Sequence, residues 1–298
     1  MLNTWSKYNT NSNHVCVDKT ERTFIKTSES LVHGLTKSLW FPRSQLSNSC
    51  SGFDKAILNQ ANTVVEPELV DERKYSFQVS PEVFNTFTKE HPFSNKTWDT
   101  CSVVGNGGIL TDSSCGERID SAQFVMRCNL PPLGNGYEKH VGWISLHCHY
   151  RRRRPFVESL HIYGNSLLLF PFSRGTTAIC MRAIYSVEDL GSPIRPVFIN
   201  PKYFRRLMTF WRAQGLGSAW MSTGLIMTSI ALEVCENVHL YGFWPFDNHP
   251  YGLYDLTNHY YDDRKAKSVH AMPKEFGLLM QLHRQGVLKL HLGDCQRL

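Results

Sequence analysis

The sequence lacks the patterns that mark several common classes of protein. It contains no run of about 18 consecutive apolar residues, so no segment is predicted to cross a membrane as a helix. No signal peptide begins at Met1. The cysteines form neither a C-x-x-C pair nor a zinc-type spacing, and no G-x-G-x-x-G sequence is present. These absences disfavour a zinc-binding module and a nicotinamide-dependent oxidoreductase.

Charge and cysteine content indicate a mildly basic protein of an oxidising compartment. The formal net charge is +6, which suits an anionic ligand without indicating nucleic acid. Arg151–Arg154 could contact nucleic acid, but no basic face interleaved with aromatic residues accompanies them, so we interpret the run as a solvated loop. Nine cysteines favour disulfide bonds, and the odd number leaves at least one thiol without an intrachain partner.

The chain divides by composition into two parts. Residues 1–94 are rich in Ser, Thr, Asn and Lys with little periodicity, and we expect a stem-like, partly disordered region. Residues 95–298 alternate apolar strands, such as Leu167–Pro171, with amphipathic helices, such as Lys202–Ala213. This alternation predicts one α/β domain of three layers, α/β/α, with a mostly parallel sheet.

A glycine-rich turn lies between two predicted strands. Cys101–Val104 reads as a buried strand that ends in Gly105–Gly108, and Gln123–Cys128 reads as a second strand that delivers Asn129 beside the first. A helix is expected within Ile109–Ile119, and the N–H groups at its start would face an anion such as a phosphate. Taken alone, the turn is equally compatible with an ordinary tight turn.

A second anion site is predicted at Ser222-Thr223-Gly224, where an apolar helix opens with Ser222 as its N-cap. Capping alone would explain the Ser222 hydroxyl equally well. After this helix and a strand comes G-F-W-P-F, which contains Phe243 and Trp244 and whose simplest reading is a core aromatic cluster. His259 and His270 follow, and either alone would more often be structural.

Four blocks, in this order, resemble the sialylmotifs of animal sialyltransferases in the version carried by the α-2,8-sialyltransferases. Residues 101–129 resemble the long motif and residues 222–246 the short motif. His259-Tyr260-Tyr261-Asp262 resembles the third motif, and His270 with Glu275 resembles the very short one. The resemblance runs from Cys101 to Cys295 with one break.

The resemblance implies a metal-independent variant of the glycosyltransferase A-type fold, which is Rossmann-like. It implies an inverting transfer of sialic acid from CMP-sialic acid to a terminal sialic acid of a glycoprotein or glycolipid glycan. His270 would be the general base, and His259 would donate to the departing phosphate. No D-x-D sequence occurs, so we expect no metal and no other cofactor. The residues implied around CMP are Asn106, Asn129, Ser222, Thr223, Gly224, Phe243 and Trp244.

The resemblance also carries expectations about bonds and compartment. It implies the disulfides Cys101–Cys235 and Cys115–Cys295, with Cys128 left reduced or buried. It implies partners that are CMP-sialic acid and sialylated glycans rather than nucleic acid. Family members work in the Golgi lumen on one N-terminal membrane anchor, so we expect contact with the membrane only through an anchor that this sequence does not contain. Asn95 lies in a glycosylation sequon.

The break in the resemblance covers residues 143–156. The sequence is shorter there than in the relatives and supplies no counterpart of an asparagine that lies near donor and acceptor in an Asn-Pro-Ser-type turn. This difference motivates a second hypothesis, a catalytically impaired relative that binds the CMP-sugar but turns it over slowly or not at all.

Overall fold

An eight-stranded sheet runs through the residues that the computed structural model describes, which are 43–50, 52–65, 79–93, 96–131, 141–143, 153–172, 176–217, 220–262 and 270–295. The strand order is β1-β6-β5-β4-β3-β2-β7-β8. All neighbouring strands are parallel except β1 and β6. The strands are β1 Ile57–Leu58, β2 Trp98–Val104, β3 Phe124–Arg127, β4 Val141–Trp143, β5 Leu167–Pro171, β6 Arg195–Ile199, β7 Cys235–Tyr241 and β8 Lys289–His291.

Eight α-helices flank this sheet within the described ranges, and the prediction of an α/β/α fold with a mostly parallel sheet is confirmed. The side chains of Ser80, Asn200 and Ser222 accept hydrogen bonds from backbone N–H groups at the starts of α2, α6 and α7. The helices are α1 Arg43–Cys50, α2 Pro81–Asn85, α3 Gly116–Asp120, α4 Arg153–Leu160, α5 Thr177–Asp189, α6 Pro201–Trp211, α7 Thr223–Val234 and α8 Met272–Arg284.

Helix α7 lies at the centre of the packing. It is apolar nearly all round because it packs on β2 and β7 and is covered in turn by α1. A separate cluster joins Val104 at the end of β2 to Ile119 of α3 and to Cys115 and Cys295. The ends of β2 and β7 are therefore held by well-packed elements.

The segment after β2 differs from the predicted single helix within Ile109–Ile119. It contains a 3₁₀ turn at Gly108–Leu110 and then the five-residue α3. Asp112 and Ser114 adopt φ angles of 55° and 54°, and residues in this left-handed region interrupt a right-handed helix. The prediction that a helix starting directly after the glycine turn aims N–H groups at a phosphate is therefore wrong.

Residues upstream of position 95 contribute to the sheet. Ile57 of β1 pairs with Ile199 of β6, and Leu46 and Cys50 of α1 are buried. The division into a stem at 1–94 and a catalytic domain at 95–298 stays a prediction, which now has to allow for these contacts. Residues 1–42 lie outside the described residues.

Strand β4 lies at the start of the break in the family resemblance. Val141 pairs with Met126 of β3, and Gly142 pairs with Leu168 of β5, so the sheet is continuous at this point. Residues 144–152 lie outside the described residues. The sheet therefore keeps a strand between β3 and β5 at the point where the sequence analysis expects the break to begin.

Arg153 is the first described residue of the arginine run. Its Nε donates to the Ser186 hydroxyl over 3.0 Å, and its guanidinium pairs with Asp189. Both partners belong to α5, so this cation holds two helices together. The contact agrees with a structural role for Arg153, whereas Arg151 and Arg152 lie outside the described residues.

Two disulfide bonds confirm the predicted pairing. Cys101–Cys235 links the neighbouring strands β2 and β7, with 6.0 Å between the Cα atoms. Cys115–Cys295 ties the segment after β2 to the end of the chain across a sequence separation of 180. Cys128 is a buried free thiol, as predicted, and burial raises its pKa to about 12. The thiol is therefore protonated and unreactive at neutral pH.

The turns that follow β2 and β7 pack backbone against backbone. Gly105 N–H donates to the Tyr241 carbonyl over 2.8 Å, and Gly107 N–H donates to the Gly242 carbonyl over 3.0 Å. A Cβ on Gly105 or Gly107 would lie 2.6–2.7 Å from the Gly242 oxygen, closer than real Cβ atoms come. Gly108 sits equally tightly under the Thr257 carbonyl. The glycines therefore allow the two turns to pack backbone against backbone, whether or not they also contact a ligand.

We expect Gly108→Ala to destabilise the protein. The new methyl group would overlap the Thr257 backbone, which cannot move as a side-chain tip can, and overpacking of this kind costs roughly 1–3 kcal/mol of unfolding free energy. Denaturant unfolding measures this directly. Gly293→Ala is the matched control, because its Cβ would meet only the Tyr251 ring at 3.5 Å. Equal stability of both variants would contradict the tight packing at Gly108.

We expect Glu233→Gln to stabilise the protein near neutral pH. Burial raises the pKa of Glu233, while hydrogen bonds from Tyr203 and Ser47 act in the opposite direction. Because the pKa of Glu233 is higher in the folded than in the unfolded state, protonation of this carboxyl adds to the free energy of unfolding. This contribution is fully present in acid and is lost as the pH rises through the folded pKa. The amide keeps an acceptor for Tyr203 without the charge, so the gain should be roughly 1 kcal/mol, or about 2–4 °C in Tm.

The pH dependence of the Tm gain shows whether the gain comes from removing the buried charge of Glu233 or from another effect of the substitution. The gain in Tm from Glu233→Gln should shrink on acidification, because the wild-type carboxyl is then protonated. Glu188→Gln, on the exposed face of α5, is the control and should change Tm little at any pH. A gain that persists unchanged in acid would refute the role of the buried charge.

Candidate active site

Asn106 lies in the turn after β2 and holds three segments together. Its Nδ2 donates to the Cys128 carbonyl over 3.0 Å, and its backbone carbonyl accepts from Tyr260 N–H over 2.9 Å. The side chain is only 8% exposed, yet among the described residues its Oδ1 has no hydrogen-bond partner. A buried amide oxygen without a partner is costly. Asn106 is therefore suited to accept a hydrogen bond from a bound molecule.

Asn129 connects the end of β3 to the start of α7. It adopts a positive φ of 60°, a conformation that asparagine tolerates better than most residues. Its Oδ1 accepts from the Thr223 hydroxyl over 3.3 Å. Asn106, Asn129 and Thr223 thus meet at the carboxyl end of the central strands, where ligands bind in open parallel sheets.

The start of α7 offers two backbone donors. Ser222 Oγ accepts from Leu225 N–H over 3.1 Å, as predicted for an N-cap. Ser222 N–H donates to Glu275 Oε1 over 2.7 Å. Within the described part of the chain, no acceptor binds the N–H groups of Thr223 and Gly224. These two donors lie at the positive end of the helix dipole, where the sequence predicts an anion site.

Glu275 fixes this start of α7 from the neighbouring helix. It lies in the first turn of α8, is buried, and accepts hydrogen bonds from both the backbone and the hydroxyl of Ser222. Burial raises the pKa of the Glu275 carboxyl, while the two bonds from Ser222 and the nearby His270 act in the opposite direction. The hydrogen bonds of Glu275 therefore join α8 to the start of α7. Its position in the sequence, at the start of a helix, does not reveal this contact.

The G-F-W-P-F segment covers the start of α7 with aromatic rings. The Phe243 ring lies so close to Gly224 that a Cβ there would come within 2.7 Å of it. Trp244 Nε1 donates to the Asn248 carbonyl over 2.7 Å, and its ring packs edge-on against Phe276 of α8. Gly224 is thus required for the approach of Phe243, and Trp244 is a buried residue of the aromatic cluster that the sequence predicts.

His270 has a defined tautomer. Its Nδ1 lies 2.9 Å from the Trp220 carbonyl oxygen. A carbonyl can only accept, so Nδ1 carries the hydrogen and the lone pair of the neutral ring lies on Nε2. The His270 ring is partly exposed, and it is close enough to interact electrostatically with the buried Glu275. This arrangement prepares Nε2 to accept a proton.

His259 is held differently. Its Nδ1 lies 2.8 Å from Asp262 Oδ1, its Nε2 lies 3.1 Å from Asn258 Nδ2, and its ring stacks on Tyr261. The segment that carries it is anchored at Asn106 through Tyr260 N–H. Asp262 is visible in the H-Y-Y-D sequence, but its role as partner of His259 appears only in the structure.

The predicted site residues occupy one edge of the sheet. A chain of contacts leads from the His259 segment through Asn106, Cys128–Asn129 and Thr223 to Ser222, Glu275 and His270. The sequence did not reveal the Trp220 carbonyl, the Asn258 amide or the Ser222–Glu275 bonds. A backbone acceptor leaves no sequence signal, and the Ser222–Glu275 bonds depend on tertiary packing. Asn258 precedes His259 in the chain, but the sequence does not show how the two side chains are oriented.

Two further features bear on function. Among the described residues, no group of three or more His, Cys, Asp or Glu side chains is arranged to hold a metal ion. In the same residues, no helix is both long enough and apolar enough to cross a bilayer.

Comparisons with known proteins agree on one family. Glycosyltransferase family 29 (sialyltransferase) matches residues 57–287. Alpha-2,8-sialyltransferase 8E of Homo sapiens is 37% identical over 271 residues, which cover 85% of this chain and 72% of that protein. The Alpha-N-acetylneuraminide alpha-2,8-sialyltransferase of Xenopus tropicalis is 39% identical over 274 residues, which cover 86% and 79%. A crystal structure of a mammalian sialyltransferase aligns with a TM-score of 0.49 at 20% identity, covering 85% and 92%. The family match and the identity of the two relatives show that the chain belongs to glycosyltransferase family 29, the sialyltransferases.

Proposed function

We propose that this enzyme transfers sialic acid from CMP-sialic acid to a terminal sialic acid of a glycoprotein or glycolipid glycan, forming an α-2,8 linkage with inversion. The observation that carries the proposal is the fixed tautomer of His270, with Nε2 ready to accept a proton beside the anion site of α7. The names of the relatives, alpha-2,8-sialyltransferases, support this linkage.

CMP would lie along the edge of the sheet described above. The free N–H groups of Thr223 and Gly224 would bind the phosphate, and Asn106 Oδ1 would accept a hydrogen bond from the nucleotide. Asn129 and Ser222 would hold these donors in place, and Phe243 and Trp244 would line the cytidine side. Such preorganised donors stabilise charge where it develops on the leaving group.

The reaction would proceed as one displacement. The acceptor hydroxyl gives its proton to His270 Nε2 while its oxygen forms the new bond to the anomeric carbon, and the bond from that carbon to the CMP phosphate breaks. The Trp220 carbonyl holds His270 as an imidazolium through the hydrogen on Nδ1. His259 would donate from Nε2 to the departing phosphate. For this, His259 must gain a proton and the Asn258 amide must turn away.

The proposed setting is the Golgi lumen. The two disulfide bonds favour an oxidising, lumenal compartment. The proposed partners are CMP-sialic acid and a sialylated glycan, without a metal ion.

The second candidate function is binding of the CMP-sugar with little or no turnover. It is motivated by residues 143–156, which supply no counterpart of the relatives' asparagine. Losing one positioned hydrogen bond to a reacting group costs roughly 3–4 kcal/mol of barrier, or about 100- to 1,000-fold in rate. The continuous pairing of β4 favours an intact donor site in either case.

Transfer from labelled CMP-sialic acid to a sialylated trisaccharide tests both candidates. We expect a product whose new linkage is α-2,8 by NMR. Transfer to unsialylated lactose alone would contradict the proposed acceptor. Tight CMP binding without transfer would favour the impaired relative, and grafting the relatives' longer segment in place of residues 143–154 should then restore activity.

We expect His270→Ala to lower kcat by roughly 100-fold or more, because a general base contributes 10²–10⁴ in rate. The Kd for CMP should stay within about twofold, since the base serves the acceptor rather than the donor. Steady-state kinetics and calorimetric titration with CMP measure the two effects. His161→Ala is the control, because His161 is exposed and lies in a 3₁₀ turn after α4. Near-normal turnover by His270→Ala would remove it as the base.

A further inference from the structure

Trp220 is an exposed indole beside the proposed base. Its side chain is 58% exposed, although Met221 and Ser222, which follow it, are buried. Its carbonyl is fixed by the hydrogen bond from His270. The backbone of Trp220 is therefore held in place while its large ring, an apolar surface with one N–H donor, is open to a ligand.

Met272 is a second exposed apolar side chain close to His270 in the chain, and we call Trp220 and Met272 the apolar rim. Met272 is the first residue of α8, two positions after His270, and it is 37% exposed. Trp220 is thus tied to the histidine by its carbonyl contact, and Met272 by its sequence position. An acceptor hydroxyl has to come within hydrogen-bond distance of His270 Nε2, so the sugar that carries it reaches this rim.

Lys274 places a cation at the same rim. It lies in the first turn of α8, where a positive charge opposes the helix dipole. Its Nζ lies 3.6 Å from the position that a Cβ would take on Gly217, which is three residues before Trp220. Among the residues that the structure describes, no carboxylate pairs with Lys274.

The acidic residue that follows Lys274 in the chain does not compete for this cation. Glu275 is buried, and both of its oxygens accept hydrogen bonds from Ser222. Both oxygens are therefore already engaged. An anionic group that approaches His270 from solvent meets the free ammonium of Lys274 and no exposed carboxylate from the first turn of α8.

We propose that Trp220, Met272 and Lys274 form the subsite for the terminal sugar of the acceptor, and that this sugar bears a carboxylate. The indole would stack on the apolar face of the sugar ring, with Met272 beside it, and Lys274 would pair with the carboxylate. The assignment rests on the proposed function and deepens it, because it names the residues that would select a sialylated over a neutral acceptor.

Substitution at the rim should raise the KM for the acceptor while leaving CMP binding in place. The probe is a sialylated lactose trisaccharide, and we expect Trp220→Ala to raise its KM about tenfold with the Kd for CMP within about twofold. Trp220→Phe, which keeps a ring, should recover most of the loss. Leu253→Ala is the matched control, because Leu253 is 68% exposed but lies in another loop. An unchanged KM in Trp220→Ala would overturn its role.

The methyl ester of the same trisaccharide tests Lys274. Lys274→Ala should raise the KM for the free acid about three- to fivefold, the range of an exposed ion pair, and should not affect the ester. Lys202→Ala, which removes an exposed lysine from the first turn of α6, should affect neither. Equal losses for acid and ester would show that Lys274 does not recognise the carboxylate and would overturn that part of the assignment.

Binding separates failure of the subsite from failure of the proposed function. Saturation-transfer NMR, with CMP present, detects the trisaccharide on the protein without turnover. The subsite predicts binding by wild type and by His270→Ala, and weaker binding by Trp220→Ala and Lys274→Ala, even if no variant transfers sialic acid. Absence of trisaccharide binding by the wild-type protein would overturn the subsite.

Discussion

The site depends on the contact between two turns that end neighbouring parallel strands. Gly105 and Gly107 donate to the carbonyls that follow β7, and no side chain fits between the two backbones. The disulfide between Cys101 and Cys235 joins the same two strands below the turns. Asn106 lies in one of these turns, and Phe243, which packs on Gly224 at the start of α7, follows the other. Because the turns are packed together, Asn106 and the start of α7 keep a fixed spacing, which a preorganised anion site requires.

Hydrogen bonds connect this junction to the other residues of the candidate site. The three bonds use a backbone carbonyl, a hydroxyl and a carboxylate. Asn106 binds the Cys128 carbonyl, Asn129 binds the Thr223 hydroxyl, and Glu275 binds Ser222. The buried carboxylate is the costly member of this set, since burial disfavours its charge. Its two bonds to Ser222 offset part of that cost and leave the N–H groups of Thr223 and Gly224 free for a ligand.

The sequence predicted what local patterns encode and missed what distant contacts decide. The strand Leu167–Pro171 and the Ser222 cap follow from apolar runs and hydroxyl placement, and both are confirmed. The disulfide pairs were predictable only through the family resemblance. The interruption at Asp112 and Ser114 and the pairing of β1 with β6 depend on tertiary contacts that no local pattern shows. The bonds from Ser222 to Glu275 and the contact of the Trp220 carbonyl with His270 were missed for the same reason.

The two histidines meet different partners, which suits them to the opposite tasks proposed for them. Nδ1 of His270 faces a carbonyl, which can only accept, so the lone pair of the neutral ring lies on Nε2, as a base needs. Nδ1 of His259 faces the Asp262 carboxylate, and with a second hydrogen on Nε2, as a donor to phosphate needs, the ring would form an ion pair with this carboxylate. The proposed division of labour between base and phosphate donor would therefore rest on which oxygen each Nδ1 meets, a carbonyl in one case and a carboxylate in the other.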